Sequence, residues 1–169
     1  MNYKTVRERA LEELKKQLKL IQSSNGYNNN IASVELADTL EFFPNESWSI
    51  KIEVGESFTV PRCNAREYEI IDINLWIYVQ QLEKQVATFS SIIHDIRLLF
   101  RCPFTDSSHP NPAMTGIWMS EVSSEHHVQE NSVGVIFGTM SYQMEIHYSF
   151  NDPCLWDDEY DVKVPQEVV

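Results

Sequence analysis

Glycine is scarce in this chain. There are five in 169 residues, at Gly26, Gly55, Gly116, Gly134 and Gly138, and no two stand in a G-x-G-x-x-G or Walker arrangement. A phosphate cradle needs closely spaced glycines so that backbone N–H groups can approach the ligand, so a nucleotide site of either kind is not expected. Cysteine is equally sparse: Cys63, Cys102 and Cys154 are odd in number, far apart, and without C-x-x-C spacing. Disulfide frameworks use pairs in secreted chains, so three free thiols in a reducing compartment are expected. No apolar stretch reaches the roughly 20 residues that span a bilayer. No apolar run follows the charged start at Lys4, Arg7, Glu8 and Arg9, which points to cytoplasmic assembly and no membrane association.

Positive charge is also in deficit, 13 Lys and Arg against 25 Asp and Glu, for a net charge of −12. Its distribution is uneven. Residues 1–20 hold Lys4, Arg7, Arg9, Lys15, Lys16 and Lys19 against three Glu, whereas residues 151–169 hold Asp152, Asp157, Asp158, Glu159, Asp161 and Glu167 against Lys163. An acidic surface repels phosphates, which argues against wrapping nucleic acid but suits a channel wall past which DNA slides.

What the chain has is periodicity, and its centre is the stretch from Arg66 to Arg101. Ile71, Ile73, Leu75, Ile77 and Val79 alternate with Asp72, Asn74, Trp76 and Tyr78, the pattern of a strand with one buried face. Val86, Phe89, Ile93, Ile96 and Phe100 then recur at helical spacing. An earlier helix over 3–22 carries Leu11, Leu14, Leu18 and Ile21 on one stripe, with Thr5 and Glu8 in capping-box positions and Gly26 beyond its end. Further strands are expected over Ile31–Leu36, Trp48–Val54, Gly116–Val122 and Ser132–Phe150. Connections are expected over 56–65, the proline-rich 101–115 and 123–131. In the last strand the apolar residues change parity after Phe137, which predicts a β-bulge at Gly138 and a bent C-terminal hairpin.

The expected fold is α+β: a two-layer sandwich in which two helices pack on one face of a mixed or antiparallel five-stranded sheet. Residues 1–150 form the single domain and 151–169 an acidic tail or arm.

Chemistry-bearing constellations are few. His126 and His127 with Glu125 and Glu130 suggest metal ligands, but adjacent residues on an extended segment point to opposite faces. His94 and Asp95 lie about 100° apart on a helix and do not face one another. Ser90, Ser91 and Cys102 lack a base and an orienting group. The acidic run at 157–161 lacks calcium-loop spacing. No catalytic residue, cofactor or metal site is therefore assigned. Instead Trp76 and Tyr78 draw notice, because they occupy the face of the central strand opposite Ile73, Leu75 and Ile77. They either cover the margin of a monomer's core or meet another subunit. Phe42, Phe43, Arg62, Pro110, Trp156 and Tyr160 join them as candidate subunit-interface residues.

The helix closed by Asn25-Gly26-Tyr27, the strand Ile31–Leu36, the pair Trp48–Val54 and Glu69–Val79, the helix Val86–Arg101 and the terminal hairpin ending Met144-Glu145-Ile146-His147-Tyr148 together resemble the tail terminator family of long-tailed bacteriophages. The resemblance covers roughly residues 3–150 and is one of pattern and order. It implies a non-enzymatic virion protein, assembled in the host cytoplasm as a hexameric ring that caps the head-proximal end of the tail tube. It would touch the tail tube protein and a neck or connector protein, while DNA passes its lumen without specific binding. The acidic tail and the loop Pro103–Pro112 stand outside the shared pattern. A head-completion or neck ring protein is the neighbouring alternative, and a small metal-dependent enzyme using His126 and His127 is the alternative of another class.

Overall fold

The computed structural model describes residues 5–37, 48–62, 66–80, 85–107, 116–127 and 135–149, with the backbone alone at 60–62, 66–67, 85–86, 126–127, 135–136 and 148–149. Helix α1 (Val6–Leu18) begins at a capping box. The Thr5 hydroxyl accepts from the Glu8 N–H, and the Glu8 carboxylate accepts from the Thr5 N–H at 2.8 Å. A 3-10 turn, Ser23–Asn25, closes on Gly26 at φ 90°, where a side chain would be strained. There follow β1 (Ser33–Leu36), β2 (Trp48–Arg62), β3 (Arg66–Gln80), α2 (Gln85–Leu99), β4 (Phe104–Thr105), β5 (Gly116–His127) and β6 (Val135–Ser149).

The fold is α+β with two helices and one mixed sheet in the order β1-β2-β3-β6-β5-β4. Only β1 and β2 run parallel among the described pairs. The central strand β3 is where the alternating pattern placed it, and Ile71, Ile73, Leu75, Ile77 and Val79 are all buried. They form one cluster with Leu11, Leu14 and Leu18 of α1, Phe89, Ile92 and Ile96 of α2, and Met140, Tyr142, Met144 and Ile146 of β6. Burying such side chains stabilises by about 1.5–3 kcal/mol each, so this single core dominates the fold's energetics.

Three expectations need correction. The sheet has six strands rather than five, because Phe104–Thr105 inside the proline-rich segment pairs with Gly116 and Ile117. Strand β2 does not stop at Gly55: it passes through a bulge between Val54 and Ser57 and continues until Arg62 pairs with Arg66. The segment read as an irregular connection is thus mostly strand. Nor is there a bulge at Gly138, because β6 pairs with β3 without a register shift from Val135 to Ser149.

The parity change in β6 has a different cause. Phe137 packs edge-on against Tyr78 on the helix-free side, while Gly138 lies on the helix side beneath Phe89. A Cβ at Gly138 would come within 1.9 Å of the Phe89 ring, so glycine there leaves the hole into which the aromatic drops. The hairpin's extra residue is Val122 of β5, between the pairs Glu121–Tyr142 and Ser123–Ser141. Strand β5 consequently runs past Val122 to His127, through most of what the sequence marks as a connection.

Candidate interaction surface

The two faces of β3 differ in kind. Its residues Ile71, Ile73, Leu75, Ile77 and Val79 face the helices, whereas Tyr68, Ile70, Asp72, Asn74, Trp76 and Tyr78 share the other face with their register partners on β6 and, beyond them, on β5. Across the middle of that face runs a polar ladder. Glu53 Oε2 accepts from Trp76 Nε1 at 2.8 Å and from Asn74 Nδ2 at 3.1 Å, and the Ser141 hydroxyl donates to Asn74 Oδ1 at 2.7 Å. Gln143 Nε2 reaches Asp72 Oδ1 at 3.4 Å. These side chains satisfy one another across β2, β3 and β6.

Towards the β2–β3 turn the face becomes apolar. The cross-strand row Phe58, Ile70, Glu145, Trp118 spans four strands, and the next row sets Tyr68 beside His147. Tyr68 stacks on the His147 ring at 5.5 Å between centroids, and Trp118 meets that ring edge-on at 6.3 Å. His147 Nε2 also contacts Glu145 Oε1. Phe58 is 50% exposed and Trp118 47% exposed, although both are large and apolar. Four strands at about 4.8 Å spacing make the platform about 14 Å wide. Exposed large apolar side chains grouped on one sheet face make it the candidate interaction surface.

The sequence-derived interface residues fall in several places. Trp76 is half-buried, with its indole N–H bound to Glu53, and lies two residues from Tyr78 on the same face. Tyr78 is only 5% exposed and packs on Phe137 within the chain, so among the described residues the solvent-facing aromatics of this face are Phe58 and Trp118 instead. Arg62 is the last residue of β2, placed by its pairing with Arg66. Phe42, Phe43, Pro110, Trp156 and Tyr160 lie outside the described residues. Phe58 escaped the sequence reading because the bulge after Val54 resets strand parity. The signal available was the β-prone run Ser57-Phe58-Thr59-Val60.

Two buried polar clusters lie elsewhere. Asp95 of α2 is fully buried, and its carboxylate accepts from the backbone N–H and side-chain amide of both Asn28 and Asn29 at 2.8–3.2 Å. Neighbouring His94 is exposed. On α1, the Glu13 carboxylate accepts from Ser107 at 2.8 Å, Lys16 at 3.0 Å and Gln17 at 3.0 Å, which ties the segment after β4 to the helix. Burial pushes the Glu13 carboxyl up, but the hydrogen bonds from Ser107, Gln17 and Lys16 outweigh it and hold the group below its ordinary value. Arg9 Nε lies 3.5 Å from the buried Asp106 carboxylate.

His126 and His127 pair with Gly138 and Phe137 in the backbone ladder, so consecutive positions address opposite faces. Among the described residues no group of three or more His, Cys, Asp or Glu is placed to hold a metal ion, and no helix is long and apolar enough to cross a membrane. Cys102 is an exposed free thiol. No protein-family model matches the chain, and no curated protein matches its sequence.

Proposed function

We propose that this chain is a structural ring subunit of a phage particle, a tail terminator whose two-layer body uses its helix-free sheet face against neighbouring copies. The observation that carries the reading is the aromatic platform of Phe58, Tyr68, Ile70 and Trp118 on a face that no described helix covers. The element order, two helices and a sheet ending in a long β5–β6 hairpin, supports it through the family resemblance. The hairpin's strands of 12 and 15 residues are about 40–50 Å long and give the sheet a long span along the strand direction.

In this reading a hexameric ring sits on the head-proximal end of the tail tube. Closed symmetry ends growth, because the ring presents a surface unlike the tube's own end. It contacts the tube protein on one side and a neck or connector protein on the other. The acidic balance of the chain lets DNA pass without phosphate contacts.

The test is assembly. Purified protein mixed with tail tubes should cap one end and block further extension, and sedimentation should show a ring alone or on the tube. Phe58→Asp with Trp118→Asp should abolish the ring while leaving the circular dichroism melt in place. A chain that stays monomeric with tubes and never blocks extension would sink the proposal.

A further inference from the structure

Histidine is the side chain whose charge changes between about pH 5 and 8. Among its described residues the platform holds one, His147, and three neighbours surround it. Glu145, two residues earlier on β6, addresses the same face, and its carboxylate contacts His147 Nε2. From β3 the Tyr68 ring stacks on the imidazole at 5.5 Å with 20° between planes, and from β5 the Trp118 ring meets it at 6.3 Å and 69°. The register partner of His147 on β5 is Gly116, which carries no side chain. Of the charged residues of this parity on β3, Arg66 stands two positions from Tyr68 and Asp72 four.

Glu145 and His147 each keep 32% of their side-chain surface exposed, so water still reaches both in the free subunit. Glu145 lies in the row between Ile70 and Trp118, so a copy seated on the platform covers it. With His147 neutral, that closure strips water from an uncompensated carboxylate, which is costly. With His147 protonated, it closes over a neutral ion pair whose cation also lies against aromatic rings.

We infer that closing the platform against a neighbouring copy takes up a proton at His147, so that association through this face strengthens as pH falls from about 8 to 5.5. The inference rests on the ring reading above and supplies its regulation. Linkage gives the sign: the closed state binds more protons than the open one, so the association constant rises by up to about tenfold per pH unit for each proton taken up.

Sedimentation of the full chain, alone and with tail tubes, over this pH range at constant ionic strength provides the test. The parent should associate more tightly toward acid. Acid also lowers the negative charge of the whole chain, so variants must isolate the His147 contribution. His147→Gln should keep only the general trend, shallower than the parent by up to about one log unit per pH unit. Glu145→Gln should reverse the His147 contribution, because closure over an unpaired imidazolium expels the proton. Measured against the double variant Glu145→Gln with His147→Gln, it should therefore associate less tightly toward acid. Circular dichroism at each pH confirms that the variants stay folded. Calorimetry of association in buffers of different ionisation enthalpy counts the proton in the parent without any substitution. Proton release or no exchange, a His147→Gln chain as pH-sensitive as the parent, or a Glu145→Gln chain that still tightens in acid beyond the double variant overturns the inference and leaves the ring reading standing. No association at any pH, with or without tubes, overturns that reading and this inference with it.

Discussion

At the scale of single residues, the strongest constraint on this fold is a hydrogen atom in place of a methyl group. Gly138 sits where a Cβ would enter the Phe89 ring. Gly138→Ala is therefore expected to destabilise by about 1–3 kcal/mol through overpacking. Urea unfolding should show that Phe89→Leu in the alanine background recovers part of the loss, whereas Phe89→Leu alone is destabilising. Equal and additive losses in the double variant would refute the contact as the cause.

Asp95 is the second such residue. Its carboxylate is fully buried and is the shared acceptor of four N–H-bearing groups on Asn28 and Asn29, so Asp95→Ala removes the acceptor that joins the Asn28–Asn29 turn to α2. The expected loss is about 1–3 kcal/mol by the same unfolding measurement. Tyr142 presents the opposite case. Its hydroxyl is buried with no hydrogen-bond partner among the described residues, and burial pushes its phenol well above the ordinary tyrosine value. Tyr142→Phe removes a desolvated group without changing the ring's packing on Phe100, so stability should hold or rise by up to about 1 kcal/mol.

Neither Gly138 nor Asp95 was legible in the sequence for what it does. A glycine inside a strand signals a bulge or a close approach, and only the position of Phe89, 49 residues earlier, decides between them. Asp95 read as half of an unproductive His-Asp pair. The run Asn28-Asn29-Asn30 holds its partners, but nothing local aligns them with the second helix.

At the scale of elements, what was readable depended on length and on which face was buried. Strand β3 could be read because its 15 residues keep one parity throughout, and α1 because its cap and its stripe agree. Strand β4, with two residues, is too short to show a period, so the sheet's sixth strand was invisible. The bulges at Gly55–Glu56 and Val122 broke β2 and β5 into pieces whose parities disagree, and each was read as strand followed by loop.

The attachment of the β4–β5 connection to α1 also belongs to this scale. Glu13 joins Ser107 to Lys16 and Gln17, and its carboxyl is held below the ordinary value. A depressed folded-state value contributes stability above the unfolded-state value, about 4.3, and that contribution fades as pH falls through the folded-state value. Urea midpoints measured from pH 7 to pH 3 should therefore show Glu13→Gln below the parent at neutral pH, with the gap closing in acid. A gap independent of pH would mean that the ionised carboxylate is not what holds the segment.

At the scale of the whole molecule, the strand order sets a hierarchy. Strand β3 is paired along its length on both sides, with β2 and with β6, and its inner face carries the middle of the core. The outer strands β1 and β4 are short, with four and two residues, and among the described residues each pairs on one side only. Short edges limit edge-to-edge association. They also set where the molecule opens first, because local opening follows the number of hydrogen bonds and apolar contacts that must be given up together.

Amide exchange followed by mass spectrometry should therefore rank the sheet: peptides from β1 and β4 exchange first, β5 next, and the 70–79 stretch of β3 last. The pairing of β3 with β6 joins residues roughly 70 positions apart, so it closes late in folding, yet once closed it is lost only by global unfolding. If the β3 amides exchanged at the rate of β1, the central ladder would not be the unit on which the rest of the chain depends. The aromatic platform, which rests on β3 and β6, would then lack the rigid support that a lasting interface requires.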